Sequence, residues 1–302
     1  MKFIIVGFGI QGRKRKKLLG KECVAVVDKY NLKDSNYSNI NEVPTDSYES
    51  VILCVPDQEK YEIIKYCLKN KKNILVEKPL IFNNPLTIKS IEKKANKNNV
   101  FLLSAYNHRY EKSLNLLKSI LDKKKLGKIF FCRMQYLNGT ARNVFKTWRD
   151  KDAGVLTDLG PHLVDLIYFL IGEGEVKKIK IYNKKNYENL SNDHILFGFN
   201  YKKINFLLEI SYCNWKNHFQ IDFNGSKGAV KVFSLLKWGY SQTVFFKRVM
   251  PSGAPVETKN KFIGRDNSFK DEIANFKTLI KKSTKTNLNR DYLVNKLINK
   301  IN

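Results

Sequence analysis

The stretch that decides the fold is MKFIIVGFGIQGRKRKKLLGKECVAVVD, residues 1–28. The apolar run Lys2–Val6 predicts a strand, and the basic segment Arg13–Leu19, after a glycine-rich turn, predicts a helix. A second apolar strand, Cys23–Val27, ends at Asp28. A strand, a glycine turn, a helix and a second strand are typical of the start of a doubly wound α/β sheet with parallel strands.

A dinucleotide-binding loop is predicted at residues 7–12, where the sequence reads Gly7-Phe8-Gly9-Ile10-Gln11-Gly12. In the spacing G-x-G-x-x-G, the first glycine makes the tight turn and the second lets the backbone approach a pyrophosphate. The third lets the helix pack closely on the strand. The helix N-terminus then offers N–H groups and partial positive charge to the phosphates. The alternative is a glycine turn that holds no ligand.

Asp28 is the predicted acceptor for the ribose hydroxyls of the dinucleotide, because it closes the second strand 21 residues after Gly7. A carboxylate there repels a 2′-phosphate, which favours NAD over NADP. The cations Arg13 and Lys29 would offset that repulsion, so NADP stays open. Lys29 is itself a predicted cofactor contact.

Further apolar strands and amphipathic helices as far as about residue 105 predict a parallel sheet covered on both faces. The strands expected there are Ser50–Val55, Asn73–Val76 and Val100–Ser104, and the helices are Glu59–Lys69 and Leu86–Asn96. Groups at the carboxyl ends of parallel strands face the ligand crevice. Cys54, Pro56 and Glu77 are therefore further predicted cofactor contacts.

After that, consecutive strands with short links predict an α+β domain with a mostly antiparallel open sheet. Its strands are expected at Lys128–Tyr136, Val176–Tyr182, Ile195–Tyr201, Asn205–Tyr212, Phe219–Phe223 and Ala229–Phe233, and its helices at Tyr110–Leu121 and Leu159–Ile171. The chain is expected to end in a helix, Ser268–Lys281. We place a dinucleotide-binding domain at residues 1–117 and a substrate and oligomerisation domain at 118–302, with the last helix packing back on the first domain.

Composition excludes several classes of protein. The chain has 302 residues, of which 43% are hydrophobic and 27% charged, which is typical of a globular protein. No apolar run approaches the roughly 20 residues of a membrane span, and the basic cluster follows the first apolar run, the reverse of a signal peptide. Five scattered cysteines and no CxxC pair favour a reducing cytoplasm, and no metal site is predicted.

A net charge of +27 is compatible with nucleic-acid binding, but only nine of the 55 basic residues are Arg. Arg is the residue suited to bidentate contacts with bases and phosphates. We therefore interpret the charge as a solvated basic surface and expect no nucleic-acid partner and no membrane.

Two groups of residues are candidates for a catalytic role. Lys78, in Glu77-Lys78-Pro79, follows the fourth strand, where it would face the crevice and bind a substrate oxygen; alternatively it is one of many surface lysines. Asp158 and His162 lie four residues apart, and Asp165 follows three later, so all three share one helix face. Near a helix N-terminus the dipole disfavours the imidazolium, so a neutral His162 can act as an acid/base, whereas pairing with Asp158 would oppose the effect of the dipole. Alternatively, His162 is a satisfied structural histidine and Asp158 is a plain N-cap.

These pieces, in this order, resemble the Gfo/Idh/MocA family of nicotinamide-dependent sugar and polyol oxidoreductases. The matching motifs span nearly the whole chain: GFGIQG at the N-terminus, Val51–Pro56, ILVEKPL at 74–80, YNHRY at 106–110, GVLTDLGPHLVDL at 154–166 and FNGSKGAVKVF at 223–233. The resemblance implies hydride transfer between nicotinamide C4 and a secondary alcohol or ketone carbon of a sugar. It implies that Lys78, Asp158 and His162 form the catalytic set, and that the Lys78–Pro79 peptide is cis.

Substrate contacts are predicted at six residues: Lys78, Arg109, Arg142, Trp148, Arg149 and His162. For Arg142, Trp148 and Arg149 an ordinary loop role is equally open. The resemblance implies a homo-oligomer formed through the open sheet of the second domain. Within the family, short relatives and a basic cleft favour a nucleotide-linked sugar of surface-polysaccharide biosynthesis. The alternative function is a non-catalytic NAD(P)-binding regulator on the same fold.

The chain departs from the family pattern at three positions. Lys60 stands four residues beyond Pro56, where His is usual, and Arg15 stands where His is frequent in the first helix. Lys71 replaces the usual Gly before the fourth strand. None of these removes a residue of the expected catalytic set, so they bear on fine contacts and not on the reaction type.

Overall fold

A computed structural model of the chain describes residues 1–151 and 154–302, which divide into two compact units. The first unit comprises Met1–Tyr106 and Phe269–Asn295, and the second comprises Asn107–Ser268 and Lys296–Asn302. The division expected after residue 117 thus falls inside the second unit, and the expected last helix contributes to the first.

The first unit begins with five strands and three helices. In chain order they are β1 Phe3–Val6, α1 Ile10–Leu19, β2 Cys23–Val27, β3 Ser50–Leu53, α2 Asp57–Lys69, β4 Asn73–Glu77, α3 Leu86–Lys97 and β5 Leu102–Ala105. All pairings are parallel, in the order β2-β1-β3-β4-β5. The predicted doubly wound sheet is confirmed.

The side chains of alternate residues in the first sheet are buried in two separate hydrophobic cores, one on each face of the sheet. Ile4 and Val6 of β1 pack in one core, while Phe3 and Ile5 pack in the other. A strand buried on both faces must be apolar at every position, which is why β1 reads as an unbroken hydrophobic run.

The described residues of the second unit form four helices and eight strands ahead of the C-terminal helices. They are α4 Lys112–Asp122, β6 Ile129–Leu137, α5 Ala141–Val144, α6 Val155–Asp158, α7 Gly160–Ile171, β7 Val176–Lys185, β8 His194–Tyr201, β9 Ile204–Ser211, β10 His218–Gly225, β11 Gly228–Phe233, β12 Tyr240–Lys247 and β13 Val256–Ile263. Their order is β13-β12-β11-β10-β6-β9-β8-β7, and every pair is antiparallel except β6 with β9. The predicted mostly antiparallel sheet is confirmed.

Two C-terminal helices complete the chain: α8 Ser268–Lys281 and α9 Asn289–Ile301. Phe276 of α8 packs in the core of the first unit, with its ring centroid 6.4 Å from that of Phe3. The expectation that the chain ends at α8 is wrong. A signal for α9 exists, because its buried residues recur at helical spacing: Val294, Leu297, Ile298 and Ile301.

Sequence reasoning also missed β12 and β13. Strand β13 pairs along its whole length with β12, yet seven of its eight residues are exposed. An edge strand with a polar sequence, VETKNKFI, carries no apolar alternation to find.

Across the described ranges 1–151 and 154–302, no helix combines the length and the apolar character needed to cross a bilayer. The same residues contain no group of three or more His, Cys, Asp or Glu side chains that could hold a metal ion.

Candidate active site

The register of the first sheet brings the predicted cofactor residues to one edge. Val6 pairs with both Val27 and Leu53, and Leu53 pairs with Val76. The residues directly after these paired positions therefore share one level: Gly7, Asp28, Cys54 and Glu77. The edge includes the point between β1 and β3 where the strand order reverses, which is where ligands bind to open α/β sheets.

The glycine loop has the close packing that the spacing predicted. Gly7 has φ +92°, and a Cβ there would lie 2.5 Å from the carbonyl oxygen of Cys54. A Cβ on Gly12 would lie 2.1 Å from the carbonyl oxygen of Gly7. A Cβ on Gly9, in contrast, would meet no atom within 4 Å. Gly7 and Gly12 are thus required by packing, whereas Gly9 borders open space at the start of α1, where a pyrophosphate would fit.

Asp28 holds the loop through hydrogen bonds to backbone. Its Oδ2 accepts from the Phe8 N–H at 2.6 Å, and its Oδ1 accepts from the N–H groups of Tyr30 and Asn31, both at 2.8 Å. Partial burial opposes ionisation, but these N–H groups and the charge of Arg13 together lower the pKa of Asp28 below 3.8. The carboxylate is therefore charged at neutral pH and fixed in orientation.

The other loop residues divide between core and surface. The Phe8 side chain is buried in the core of the first unit, so its backbone, and not its ring, faces the loop. Ile10 is 84% exposed, and Gln11 is also exposed. Pro56 directly precedes α2. Burial raises the pKa of the Cys54 thiol, which is therefore neutral.

Both cations near Asp28 are engaged by carboxylates. Arg13 forms an ion pair with Asp34 at 2.6 Å, and Lys29 forms one with Glu59 at 2.9 Å. These exposed pairs are weak and would exchange with a strong anion. In this structure the cations are nonetheless directed at protein carboxylates.

Glu77 differs from the other predicted cofactor contacts. Its carboxylate accepts two hydrogen bonds from the buried guanidinium of Arg15, at 2.9 and 2.7 Å, and so faces α1. Lys78 follows it directly, at the end of β4, and the Lys78–Pro79 peptide is cis.

In the second unit, Asp158 is the last residue of α6, and α7 begins at Gly160. The N-cap of α7 is Leu159, with no side-chain cap, so the reading of Asp158 as an N-cap does not hold. The Asp158 carboxylate instead accepts from the Tyr212 hydroxyl at 3.0 Å and lies 3.5 Å from Arg149. Burial and the neighbouring Asp158 carboxylate raise the pKa of Tyr212, which keeps its hydroxyl a donor.

His162 lies in the first turn of α7 and is 7% exposed. Its ring stacks on that of His108 with centroids 4.2 Å apart, and the Tyr136 ring lies 5.8 Å away. Lys237 donates to the Tyr136 hydroxyl at 2.7 Å. The structure thus adds His108, Tyr136 and Lys237 to the surroundings of His162.

Arg109 and Asp165 form an ion pair with each other. Arg109 donates from Nε to Asp165 at 2.8 Å and makes a second, shorter contact from Nη2 to the other carboxylate oxygen. Asp165 is 1% exposed. This fork anchors α7 to the segment before α4, and it occupies two of the donors that we expected to serve a substrate.

The remaining predicted substrate contacts are spread out. Arg149 lies against Asp158, whereas Arg142 is paired with Glu188 at 2.9 Å and its side chain is 76% exposed. Trp148 is 61% exposed. Of this group, the structure brings only Arg149 to the predicted catalytic carboxylate.

Comparison with known proteins decides the family. Residues 1–106 match the family described as "Oxidoreductase family, NAD-binding Rossmann fold", and residues 114–231 match the "GFO/IDH/MocA C-terminal domain". The chain belongs to the Gfo/Idh/MocA family. This confirms the predicted resemblance, and it confirms the predicted cofactor class, because the first unit is the family's NAD-binding domain.

Among curated proteins, this Gfo/Idh/MocA chain is similar to glucose-6-phosphate 3-dehydrogenase of Bacillus subtilis, with 32% identity over 45% of the chain and 40% of the relative. It is also similar to scyllo-inositol 2-dehydrogenase (NADP(+)) IolW of the same organism, with 24% identity over 56% of the chain and 51% of the relative. The chain thus matches about half or less of the length of these relatives.

Among solved structures, UDP-N-acetylglucosamine 3-dehydrogenase GnnA from Acidithiobacillus ferrooxidans superposes with a TM-score of 0.83, covering 100% of the chain and 96% of that chain. A putative NADPH-dependent oxidoreductase from Desulfitobacterium hafniense gives the same TM-score, covering 98% of the chain and 93% of that chain. Their sequence identities of 14% and 18% show a shared fold.

Sequence reasoning missed several residues that surround the site. His108 lies inside the YNHRY motif used for the resemblance, so a signal was present. Tyr136 lies 26 residues before His162 and Lys237 lies 75 residues after it, and only the folding of the second unit brings them together. Tyr212 directly follows the apolar strand β9, and nothing in its local sequence distinguishes it.

Proposed function

We propose that this chain is an NAD-dependent oxidoreductase that transfers hydride between nicotinamide C4 and a secondary alcohol or ketone carbon of a sugar. The observation that carries the proposal is the arrangement at the start of α7. There, in a member of an NAD-binding family, a buried imidazole (His162) stands four residues from a carboxylate (Asp158) that Tyr212 holds in place.

His162 is the proposed acid/base. Two stacked, buried imidazoles repel each other when both are protonated, so His108 favours a neutral His162. The N-terminal end of α7 acts in the same direction, because its partial positive charge opposes an imidazolium. A neutral imidazole can accept the proton of an alcohol as it is oxidised, and the imidazolium can return it in reduction.

Asp158 and Lys78 are assigned supporting chemistry. We assign Lys78 the binding of the reacting oxygen, as the resemblance implies, since an ammonium stabilises the charge that develops on an alkoxide. Asp158, fixed by Tyr212, supplies a constant negative charge on the neighbouring helical turn. Bound nicotinamide would supply or accept the hydride itself.

NAD is the proposed cofactor in preference to NADP. The Asp28 carboxylate is charged and fixed, and a 2′-phosphate would meet it with like charge. The two cations that would offset the repulsion, Arg13 and Lys29, are paired with Asp34 and Glu59. Because one relative at 24% identity is named as NADP-linked, the preference is tested with both cofactors.

For the substrate we propose a sugar that carries phosphate, with a nucleotide-linked sugar of surface-polysaccharide biosynthesis as the specific expectation. The net charge of +27 favours an anionic substrate. One relative is named as a dehydrogenase of glucose 6-phosphate, and one protein of the same fold, known from its solved structure, is named as a dehydrogenase of a UDP-linked sugar.

We further propose a homo-oligomer formed through the open face of the second sheet, and a cytoplasmic location consistent with five free cysteines in the described residues. Light scattering at several protein concentrations would test the first of these. A monomer at all concentrations would contradict it.

The first experiment is a thermal-shift titration with NADH and with NADPH in moderate salt. A ligand at 100 times its dissociation constant adds about 2.7 kcal/mol of stability, which corresponds to a rise of several degrees for a chain of this size. We expect a larger shift with NADH. No shift with either would contradict the cofactor assignment. Sugars, sugar phosphates and nucleotide sugars are then screened with NAD for formation of NADH.

A further inference from the structure

We propose that Arg15 and Lys60 are positioning residues for Lys78, and that together they fix the segment Glu77–Pro79 from both sides. The inference rests on the proposed function, in which Lys78 binds the reacting oxygen. Both residues stand where the family usually has histidine, so neither role is carried over from relatives. All the contacts involved lie within the first unit.

Lys60 holds the backbone around Lys78. Its side chain is 2% exposed, and its ammonium donates to the carbonyl oxygens of Glu77 at 2.6 Å and Pro79 at 2.7 Å. The third bond goes to Asp57 at 2.5 Å. An ammonium has three N–H donors, so all of them are used. The two carbonyls are those on either side of Lys78, which ties α2 to the end of β4.

Arg15 holds the side chain that precedes Lys78. Its guanidinium is fully buried and donates to Glu77 Oε1 from two nitrogens, at 2.9 and 2.7 Å. It also contacts Glu272 of α8 at 2.6 Å and lies over the Phe269 ring at 4.7 Å. One cation thus links α1, the end of β4 and α8.

Stability alone is a weak reason for such a cluster. Burying ions removes them from water at a cost in free energy, and apolar side chains of similar volume often stabilise a fold equally well. What a buried charge cluster does provide is a fixed geometry. Here the geometry that it fixes is that of the residues on both sides of Lys78.

The cluster also connects Lys78 to the glycine loop. Arg15 lies one turn after Gly12 on α1, the helix whose first N–H groups face the proposed pyrophosphate site. The helix that binds the cofactor and the segment that binds the substrate oxygen therefore share one anchor. Since a misplacement of about 1 Å can cost about 10²-fold in rate, loss of the anchor should reduce kcat more than cofactor binding.

The test compares Lys60→Met with the control Thr286→Val. Thr286 is a buried side chain of the first unit that also bonds two backbone groups, the carbonyl of Val100 at 2.9 Å and the N–H of Leu102 at 2.8 Å. Both variants should lower Tm by similar amounts. We measure kcat and KM with the sugar found in the screen, the Kd for NADH, and hydrogen exchange in the peptide covering residues 77–82.

For Lys60→Met we expect kcat to fall tenfold or more, Kd for NADH to stay within about twofold, and exchange in residues 77–82 to rise about tenfold. Thr286→Val should leave kcat and that peptide within about twofold. Equal losses of kcat in both variants, or unchanged exchange in Lys60→Met, would overturn the proposal. The exchange and NADH measurements need no sugar, so a failure of the proposed function is recognised separately, as absence of turnover in the wild-type chain.

A double variant shows whether Lys60 acts through Lys78. Adding Lys60→Met to Lys78→Met should reduce kcat little further, because residues that act as a unit are not additive. A full additional tenfold loss would contradict action through Lys78.

Arg15→Lys, which keeps the charge and loses the two-nitrogen fork, should give a smaller loss of kcat at unchanged NADH affinity. A kcat equal to that of the wild-type chain would exclude Arg15 from the proposal.

Discussion

The rings of His108 and His162 stack with their centroids 4.2 Å apart and their planes 17° from parallel. His108 comes from a short helical turn, Asn107–Tyr110, and His162 from the first turn of α7. The stack gives the proposed acid/base a fixed ring plane and an environment that disfavours a second positive charge. The relationship makes His108 an electrostatic partner of His162 within the second unit.

Replacing His162 with Ala should reduce kcat by about 10²- to 10⁴-fold, the usual contribution of a general acid/base. The Kd for NADH should not change, because the glycine loop belongs to the first unit. The matched control is His218→Ala, a half-buried histidine of the second unit whose ring bonds Gln135 at 3.1 Å. Equal activity of His162→Ala and the wild-type chain would remove His162 from the mechanism.

The glycine loop offers a sharp contrast between two alanine substitutions. Gly12→Ala would place its Cβ 2.1 Å from a backbone oxygen and should destabilise the first unit strongly. Gly9→Ala meets no atom within 4 Å and has φ −74°, so Tm should be unchanged or slightly higher. NADH affinity should nonetheless fall more than tenfold in Gly9→Ala. Unaltered affinity, measured by fluorescence titration, would mean that no pyrophosphate lies against Gly9.

Cofactor choice should respond to Asp28 and to the partner of Arg13. Asp28→Asn removes the charge that repels a 2′-phosphate, so the ratio of NADPH to NADH affinity should rise. Asp34→Asn breaks the 2.6 Å ion pair and frees Arg13, which should strengthen NADPH binding and leave NADH binding unchanged. Both Kd values are measured at two salt concentrations. A wild-type chain that already prefers NADPH would contradict the assignment of NAD.

How much the sequence alone predicts depends on how local the signal is. The glycine loop, Asp28 and the strands of the first sheet follow from spacing and apolar runs over a few residues, and the structure has them within one or two positions for most strands. Strand β13 and the roles of Tyr136, Tyr212 and Lys237 depend on pairing across the second sheet, which no local pattern contains. Arg15 and Lys60 were visible as departures from the family, but only the contacts with Glu77 and Pro79 show what they do.

Asp158 is expected to depend on Tyr212. Tyr212→Phe removes the 3.0 Å hydrogen bond without opening a cavity. A lost hydrogen bond to a charged group costs about 1.5–3 kcal/mol, and if that bond orients Asp158 for reaction, kcat should fall by about ten- to a hundredfold. KM should change little. A change confined to Tm, at unaltered kcat, would mean that Tyr212 serves the fold only.

Stability should depend on pH through Glu111. The side chain is 2% exposed; burial and, secondarily, Asp266 raise the pKa of Glu111 to about 7 from 4.5, against the lowering effects of the Leu236 N–H and Lys237. Between pH 4.5 and about 7 the folded chain therefore binds more protons at this site than the unfolded chain does. The free energy of unfolding should consequently fall as pH rises through that window.

Glu111→Gln tests this directly, because the amide oxygen can still accept from the Leu236 N–H. The variant should lose the decrease in stability between pH 4.5 and 7 and be more stable than the wild-type chain above pH 7. Urea unfolding at several pH values measures the slope, and Glu22→Gln, at a half-exposed carboxylate paired with Lys277, is the control expected to keep it. A wild-type slope that persists in Glu111→Gln would assign the titration to another group, because the variant has no titratable carboxyl at position 111.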